Sequence, residues 1–565
     1  MYLTRPRFRP RWLLVAWFVL NLVQAAFTPL DPDETYYWMY AGHLDWGYFD
    51  HPPAVALLIR LGRDWLPGAL GVRFGHVLAS TVTVAAVYHL LDKPRGSGLA
   101  LAAALIFAQP MLQVYGFIAT PDGPLLLFTA LYLLAYRRFL QQPGVRSGLL
   151  WGLTMAGLLY SKYHGLILIT FSVLPNVWFL LRQRAAWVAV IFGAGLFFPH
   201  LYWQYANDFP SFRYHLSGRD DPYRFSYTIQ YVLNQLLIFS PLLVYYYVKA
   251  LVQDVAHDAF ERSCRWLVMG FLLFFLYTTT KGSTEAQWTA LLSIPLVYLT
   301  YRAVGRFPEW QPSLLRMCYF TGVILLLGRL LIIAPRDWLP FDKPFDHAPW
   351  VERLALLAEG RPVIIENSYR LASLYEFYSG GQPAWTFTDI NYRPSQYDIW
   401  RGDTIFQDRT VLLMGQADWN NEDALPFRTQ KRNMLLLEVP NFQVAKDIHL
   451  SVDGGLPAKV GPGQHFEIVL RGAAPRPVNL RAELPLDLFA IVRYPTGEKH
   501  YWRLTPVRTT RLPANERLVL YEGSLDFPTD LPLGEAYLEF GFAYRGMPPL
   551  RGQSASMDVT FVVAQ

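Results

Sequence analysis

Residues 12–38 carry the sequence WLLVAWFVLNLVQAAFTPLDPDETYYW, in which a long apolar run ends directly at a group of carboxylates. The hydrocarbon core of a bilayer, about 30 Å thick, requires about 20 mostly apolar residues in a helix. The run from Trp12 to Leu30 has this length. The arginines at 5, 7, 9 and 11 before it are also typical of a secretory signal, but the many later apolar runs favour a retained first span.

The composition of the whole chain also indicates a membrane protein. Of 565 residues, 53% are hydrophobic, 16% aromatic and only 17% charged, against roughly a quarter charged in soluble proteins. Nearly all long apolar runs lie between 12 and 334. They predict about eleven spans, near 12–30, 72–91, 98–117, 121–138, 148–160, 163–181, 186–203, 229–248, 266–280, 286–301 and 317–334.

The distribution of Lys and Arg between the short loops predicts the orientation. One set of loops is basic, with residues such as Lys93, Arg137, Arg182, Arg265 and Arg306, and basic loops are retained on the cytoplasmic side. The opposite set is mixed in charge. An odd number of spans then places the C-terminal region outside.

Charge and cysteine content exclude other classes. The net charge of +6 is small and dispersed, which argues against a nucleic-acid partner. Cys264 and Cys318 lie in or beside predicted spans, so a disulfide framework or a Cys-based metal site cannot be built.

Past Pro335 the pattern becomes that of a soluble region. Short β-like runs with an intervening helix predict an α/β segment over 336–445. Strands with turns roughly every ten residues predict a β-sandwich over 446–565. We therefore expect three parts: a membrane domain over 1–335, the α/β segment and the terminal sandwich.

The most informative polar segment follows the first span. Asp31, Asp33 and Glu34 repel one another, so a cation or a proton-transfer task is needed to offset the cost of holding them together. A solvated acidic loop is the simpler alternative. The oxygens of Asp31 and Asp33 could also hold a divalent ion.

Other ionisable residues fall on the same predicted face. Each alone could be an interfacial anchor, but carboxylates and cations together could hold a phosphate and deprotonate a hydroxyl. This set comprises Asp122, Lys162, Arg213, Arg219 and Lys281. His51 could donate to a phosphate or cap a turn. Tyr36 and Tyr37 could stack on a sugar or belong to an interfacial aromatic belt.

Several motifs in order resemble one family. Asp33-Glu34, Tyr36-Tyr37, Gly47 to Pro53, Thr120-Pro-Asp122, Ser161-Lys162 and Trp203 to Arg219 resemble the bacterial branch of the protein mannosyltransferase-like superfamily, which includes the aminoarabinose transferases that modify lipid A. The resemblance covers about 10–335. It implies a GT-C membrane fold and an inverting glycosyltransferase that takes a sugar from a polyprenyl-phosphate donor.

The resemblance also implies roles for single residues. Asp33 corresponds to the general base, and Glu34 orients it or holds the acceptor. Asp122 corresponds to an acidic position near the donor, and Lys162 to a cation near the phosphate. His51 stands where some relatives have lysine, which leaves its role open. Donor-phosphate binding is expected of His51, Asp122, Lys162, Arg213, Arg219 and Lys281, and substrate binding of Tyr36 and Tyr37.

The expected setting is the bacterial inner membrane, with the site and the C-terminal region in the periplasm and undecaprenyl phosphate as the carrier. The acceptor hydroxyl could belong to a lipid, a glycan or a protein. No cofactor is required by this chemistry, and no Gly-rich nucleotide loop is present on the cytoplasmic side. A head-group transferase and a transporter or flippase are the alternatives. The first usually needs a metal and a Ser or Thr nucleophile, and the second paired halves.

Overall fold

The computed structural model describes residues 9–217, 222–335, 338, 346–416, 419 and 423–563. The chain divides into two compact units, Met1–Phe345 and Asp346–Gln565. The first is helical. Its helices are α1 Pro10–Phe27, α2 Pro32–Gly42, α3 Ala54–Arg63, α4 Gly68–Leu90, α5 Ser97–Phe107, α6 Pro110–Val114, α7 Asp122–Gln141, α8 Val145–Ser161, α9 His164–Val173, α10 Val177–Leu181, α11 Arg184–Ala206, α12 Pro210–Ser217, α13 Phe225–Phe239, α14 Pro241–Val252, α15 Ala259–Thr278, α16 Ser293–Arg306 and α17 Gln311–Ile333.

Among the described residues, five helical segments are long and apolar enough to cross a membrane: Pro10–Phe27, Gly68–Leu90, His164–Leu181, Arg184–Ala206 and Pro308–Ile333. A sixth results if α13 and α14, which meet at an angle of 96°, count as one span. The protein is thus a multi-pass helical membrane protein. The other predicted runs are also helical but are shorter, broken or more polar, so the number eleven stays a prediction.

Prolines account for two of the breaks. Pro110 begins α6 just after α5, and Pro241 begins α14 just after Ser240, whose φ is +66°. Proline lacks an N–H and clashes with the preceding turn, so a helix ends before it. The Ser240 hydroxyl lies 3.1 Å from the Thr321 hydroxyl on α17.

Small residues set the close contact of α8 with α11. A Cβ added at Gly148 would lie 2.5 Å from the Ala185 carbonyl oxygen, and one at Gly152 would lie 2.4 Å from that of Ala189. Spacing of small residues by four positions lets two helix backbones approach closely, which is the usual basis of helix association in membranes. This contact positions the two helix ends that carry Ser161 and His200.

Loop contacts separate into two groups. The basic loops join through ion pairs of Arg137 and Arg302 with Asp92, and of Arg302 and Arg306 with Glu261. These residues come from the predicted loops after the second, fourth, eighth and tenth runs. The described polar contacts of the candidate site join loops that follow odd-numbered runs, or the run ends next to those loops, as described below.

The described part of the second unit contains three helices and the strands. The helices are α18 Ala348–Ala358 and α19 Tyr369–Tyr378, with a short α20 Gln396–Ile399. The strands are β1 Val363–Glu366, β2 Ala384–Phe387, β3 Val411–Gln416, β4 Leu425–Arg428, β5 Asn433–Val439, β6 His449–Asp453, β7 Lys459–Val460, β8 His465–Ala473, β9 Val478–Asn479, β10 Leu486–Arg493, β11 Lys499–Arg503, β12 Arg511–Leu512, β13 Leu518–Asp526, β14 Gly534–Tyr544 and β15 Met557–Phe561.

These strands form one mixed sheet and three further sheets. The mixed sheet has the order β2-β1-β3-β5-β4, with β1 parallel to both neighbours and β5 antiparallel to both of its own. The later strands form the sheets β11-β10-β14-β15-β7, β13-β8-β6 and β12-β9. The C-terminal part is therefore β-rich, and face-to-face packing as a sandwich stays a prediction.

Candidate functional site

The acidic segment after α1 folds as the start of a helix. The Asp31 carboxylate accepts a hydrogen bond of 2.8 Å from the Asp33 N–H, and the Glu34 carboxylate accepts one of 2.9 Å from the Asp31 N–H. This is a capping box with Pro32 in the first turn, and it satisfies N–H groups that a helix start otherwise leaves without partners. The segment is an ordered helix start, not a solvated loop.

Glu34 is fully buried beneath this helix start. Its Oε1 accepts a hydrogen bond of 2.7 Å from Arg73 Nε and another of 2.7 Å from the Ala119 N–H, and Arg73 Nη2 donates to its Oε2. A buried carboxylate is tolerated when a cation and N–H donors surround it in this way. Glu34 therefore fixes α2, which fits the orienting part of its predicted role.

Arg73 joins three chain segments. Besides Glu34, its guanidinium donates to the carbonyl oxygens of Thr28 at 2.6 Å and Pro29 at 3.0 Å. Its exposed fraction is 1%. The end of α1, the start of α2 and helix α4 thus meet at one side chain.

Asp33, the neighbour of Glu34, is less deeply buried. It occupies the first turn of α2 and is half-buried, whereas Glu34 is inaccessible. A carboxylate at a helix N-terminus is stabilised by the helix dipole. Of the two predicted catalytic carboxylates, Asp33 is the more exposed.

A third carboxylate, Asp50, is held by tyrosines of α2. The Tyr36 hydroxyl donates to Asp50 Oδ2 at 2.9 Å and the Tyr40 hydroxyl donates to the same oxygen at 3.2 Å. Burial, and then the nearby Tyr36 and Asp50, raise the pKa of Tyr40 well above its ordinary value, so its hydroxyl remains a donor. Tyr36 and Tyr37 are themselves buried, and the Tyr37 ring lies 5.8 Å from that of His51.

The predicted motif from Gly47 to Pro53 packs against the end of α11. The Trp203 indole N–H donates to Asp45 Oδ2 at 2.8 Å, and His200 Nδ1 lies 2.8 Å from the Trp46 carbonyl oxygen. A Cβ at Gly47 would lie 2.5 Å from Trp203 Cε3. Glycine is therefore required where this loop crosses the helix.

Asp122 and Lys162 form a buried ion pair. Lys162 Nζ lies 2.9 Å from Asp122 Oδ1 and 3.0 Å from Oδ2, and the side chains are each 7% exposed. Asp122 begins α7 and Lys162 follows the last residue of α8, so each charge also complements a helix dipole. The structure brings these two predicted donor-binding residues together.

Electrostatic contacts link the separate parts. The Tyr115 hydroxyl interacts with the carboxylates of Asp122, Asp31 and Glu285. The Tyr163 hydroxyl interacts with the Asp50 carboxylate. The ends of α1, α7 and α15 and the loop after α2 thus contribute charges to one region.

Other predicted residues are placed less centrally. Arg213 on α12 is exposed and forms a hydrogen bond of 2.6 Å with Asp208. Lys281 is exposed and makes no ion pair within the described ranges. Arg219 lies outside the described residues. The roles predicted for these three residues stay predictions.

A metal at Asp31 and Asp33 also stays a prediction. Among the described residues, no three His, Cys, Asp or Glu side chains group in a way that could hold a metal ion. Asp31 instead caps α2 with one carboxylate oxygen.

Two residues of the candidate site, Arg73 and Asp50, were not identified from the sequence. Arg73 lies inside an apolar run, where an ionisable residue is itself a signal of a buried partner or a site. Asp50 was one of several acidic residues in its loop, and only the fold shows which one meets the tyrosines. The order Asp31-Pro-Asp-Glu34 is also a capping-box pattern, which could have predicted α2.

Comparison with known proteins agrees with this fold. The sequence model of the dolichyl-phosphate-mannose-protein mannosyltransferase family matches residues 50–203. The lipid A galacturonosyltransferase RgtD of Rhizobium johnstonii is 24% identical over 355 residues, which cover 58% of this chain and 72% of RgtD.

The fold is similar to that of ArnT from Cupriavidus metallidurans. The crystal structure of apo ArnT matches with a TM-score of 0.56, and that of ArnT bound to undecaprenyl phosphate with 0.57. In both, the identity is 13%, and the match covers 75% of this chain and 97% of ArnT. The family match and the relationship to RgtD indicate a glycosyltransferase of the GT-C superfamily, and the likeness to ArnT agrees with a fold of that type.

Proposed function

We propose that this glycosyltransferase moves a sugar from a polyprenyl-phosphate donor, with undecaprenyl phosphate as the carrier, to an acceptor hydroxyl with inversion at the anomeric carbon. One observation carries the proposal. Glu34 is buried and saturated by Arg73, Ala119 and Asp31, while the adjacent Asp33 is left accessible at the helix start. Such an arrangement holds one carboxylate ready as a base.

The chemistry follows from these positions. The acceptor oxygen attacks the anomeric carbon, its proton passes to the Asp33 carboxylate, and the bond between the anomeric carbon and the carrier phosphate oxygen breaks. A hydroxyl is a poor nucleophile at neutral pH, so a carboxylate within hydrogen-bond reach assists as the new bond forms. The carrier phosphate leaves with the bonding electrons.

Lys162 is the residue we assign to the departing phosphate. Its charge is held in place by Asp122, and a preorganised cation stabilises the negative charge that develops in the transition state. Asp122 then acts as a positioning residue for Lys162. Buried ion pairs also occur as purely structural features, and a test must separate these two roles.

The choice of donor is supported by the fold. ArnT, whose fold covers most of this chain, has been crystallised with undecaprenyl phosphate. RgtD is named for transfer of galacturonic acid to lipid A, which favours an outer-leaflet glycolipid as the acceptor.

The membrane arrangement belongs to the same proposal. Among the described residues, the ion pairs of the basic loops join loops after even-numbered runs, and the site contacts join loops after odd-numbered runs or the run ends next to them, which supports an alternating path of eleven spans. We place the site, the α/β segment 336–445 and a β-sandwich 446–565 in the periplasm of a bacterial inner membrane, with 1–335 as the catalytic domain.

Reconstituted full-length protein tests the proposal. It is incubated with a panel of polyprenyl-phosphate sugars and lipid A acceptors, and release of free carrier phosphate is followed by mass spectrometry. We expect Asp33→Asn to lower kcat by roughly 10²–10⁴-fold with little change in donor KM. The matched control is Asp64→Asn. Asp64 is an exposed carboxylate at the end of α3, and this variant should keep full activity.

The outcomes separate the roles. A fully active Asp33→Asn variant would remove Asp33 from the role of base. If Lys162→Gln retains kcat while its thermal stability falls, the pair with Asp122 is structural and another cation serves the phosphate. Release of phosphate from no donor in the panel, by protein that melts normally, would contradict the donor class.

A further inference from the structure

A polar cavity lies in the C-terminal unit. It has a volume of about 120 Å³ and is open to solvent, which is about the share of liquid volume that four water molecules take and is enough for a small anion. Strands β10, β11 and β14 and the segments around 390 and 551–556 form its walls. Its polar lining consists of Arg493, Lys499, Glu539, Arg551, Ser554 and Ser556.

One of the three cations in this cavity is already neutralised. Arg493 Nη2 lies 3.0 Å from Glu539 Oε1, and the Ser556 hydroxyl donates to the same carboxylate oxygen. Arg493 also stacks on Tyr537, with its guanidinium carbon 4.7 Å from the ring centroid. Arg493 and Glu539 therefore neutralise each other in the wall of the cavity.

Lys499 and Arg551 have carboxylates only at longer range: Glu539, Asp398 and Asp389 act on Arg551, and Asp389 acts on Lys499. Within the described ranges, neither side chain forms an ion pair. Arg551 Nη2 donates to the Ile390 carbonyl oxygen at 2.9 Å, which fixes the guanidinium at the cavity and leaves further N–H donors for a ligand.

The two cations repel each other across the cavity. Burial and then the charges of Arg551 and Arg493 lower the pKa of Lys499, while Asp389 acts in the opposite direction. Asp389 is buried and accepts hydrogen bonds from Asn367 and the Asn391 N–H. A bound anion would relieve this repulsion.

We propose that this cavity binds a phosphate monoester through Lys499 and Arg551. A phosphate monoester carries nearly two negative charges at neutral pH, which matches two cations that form no ion pair among the described residues. Arginine matches the geometry of phosphate oxygens in a bidentate manner, and lysine adds a point charge. The site lies entirely in the second unit and does not depend on the proposed transfer reaction.

The phosphate could be free or carried by a lipid, and one experiment can separate these sources. Full-length protein in phosphatidylcholine bilayers is treated with an amine-reactive label, and labelling of Lys499 is measured by peptide mass spectrometry. Inorganic phosphate is titrated in one arm. Phosphatidic acid is added to the bilayer in the other. Sodium chloride at matched ionic strength is the salt control, and the exposed Lys459 on β7 is the internal control.

We expect phosphate to slow labelling of Lys499 at least threefold and to leave Lys459 unchanged. Arg551→Gln should raise the phosphate concentration for half protection by about ten- to a hundredfold, the usual weight of a hydrogen bond to a charged group. Lys459→Gln, which removes the same charge elsewhere, should leave it unchanged.

Protection by phosphatidic acid alone would identify a lipid-borne phosphate, and protection by inorganic phosphate a soluble one. Equal protection by chloride, or no protection by either phosphate source, would overturn the proposal. So would unchanged protection in an Arg551→Gln variant that melts like the wild type.

Discussion

The buried pair of Glu34 and Arg73 gives the sharpest prediction about stability. Replacing Arg73 by Met keeps most of the side-chain volume and removes the charge. Glu34 would then remain buried with only the N–H groups of Ala119 and Asp31 as partners. The carbonyl oxygens of Thr28 and Pro29 would lose a donor as well.

The size of the effect follows from burial. The two side chains are 1% and 0% exposed, so solvent screens the pair very little. Removing one partner of such a pair costs about 3–5 kcal/mol of unfolding free energy. Glu34→Gln should cost a similar amount because it leaves the Arg73 charge buried. Replacing both residues should cost less than the sum by about 1–3 kcal/mol, since the double variant contains no isolated charge.

The assay is a double-mutant cycle of reversible unfolding in mixed micelles, monitored by tryptophan fluorescence. The exposed pair of Arg213 and Asp208, with side chains 66% and 72% exposed, is the control, and Arg213→Gln should cost at most about 1 kcal/mol. Single variants of the buried pair that each cost less than 1 kcal/mol, with additive effects, would refute the reasoning.

Three further results are expected. Asp403 is buried, with no hydrogen-bond partner for its carboxylate among the described residues, and burial raises its pKa against the opposing effect of Lys446. The loss of unfolding free energy caused by burying the ionised Asp403 is absent below the pKa of the unfolded chain, about 4. It grows as the pH rises from there through the higher pKa of the folded protein. Asp403→Asn should therefore raise the unfolding free energy at pH 8 by about 1–3 kcal/mol, measured as a higher melting temperature, and should have less effect at pH 4.5. The opposite pH trend would contradict this. Gly47→Ala should destabilise the protein by about 1–3 kcal/mol because its Cβ would lie 2.5 Å from Trp203 Cε3, and an unchanged melting curve would show that the loop can move away. Tyr36→Phe removes the hydrogen bond of 2.9 Å to Asp50 and should cost about 1–3 kcal/mol in thermal unfolding, whereas wild-type stability would mean that Tyr40 alone holds the carboxylate.

Much of the helical unit could be predicted from apolar run length, because that length is set by the bilayer. The ends of the runs were less predictable. Pro110 and Pro241 divide runs that hydropathy alone joins, and α2 is a helix made of polar and aromatic residues that hydropathy does not detect.

The candidate site was predictable in its residue types but not in its pairs. Asp122 and Lys162 were both identified, yet their ion pair spans 40 positions of the chain and depends on the packing of α7 against α8. The partner of Glu34 is 39 positions away. In the sequence, the three carboxylates between Asp31 and Glu34 are therefore equivalent. Only tertiary contacts distinguish the buried Glu34 from the more exposed Asp33.

The position of Arg73 has a consequence for how substrates are admitted. One guanidinium links the last carbonyl groups of α1 and the first turn of α2 to α4, so displacing any one of these helices breaks hydrogen bonds to the others. Asp33, the base that we propose, lies on the first turn of α2 and would move toward a poorly placed hydroxyl only at that cost. We therefore expect adaptation to acceptors of different shape to come from exposed segments, such as the turn around Asp208 and Arg213, with the position of Asp33 unchanged.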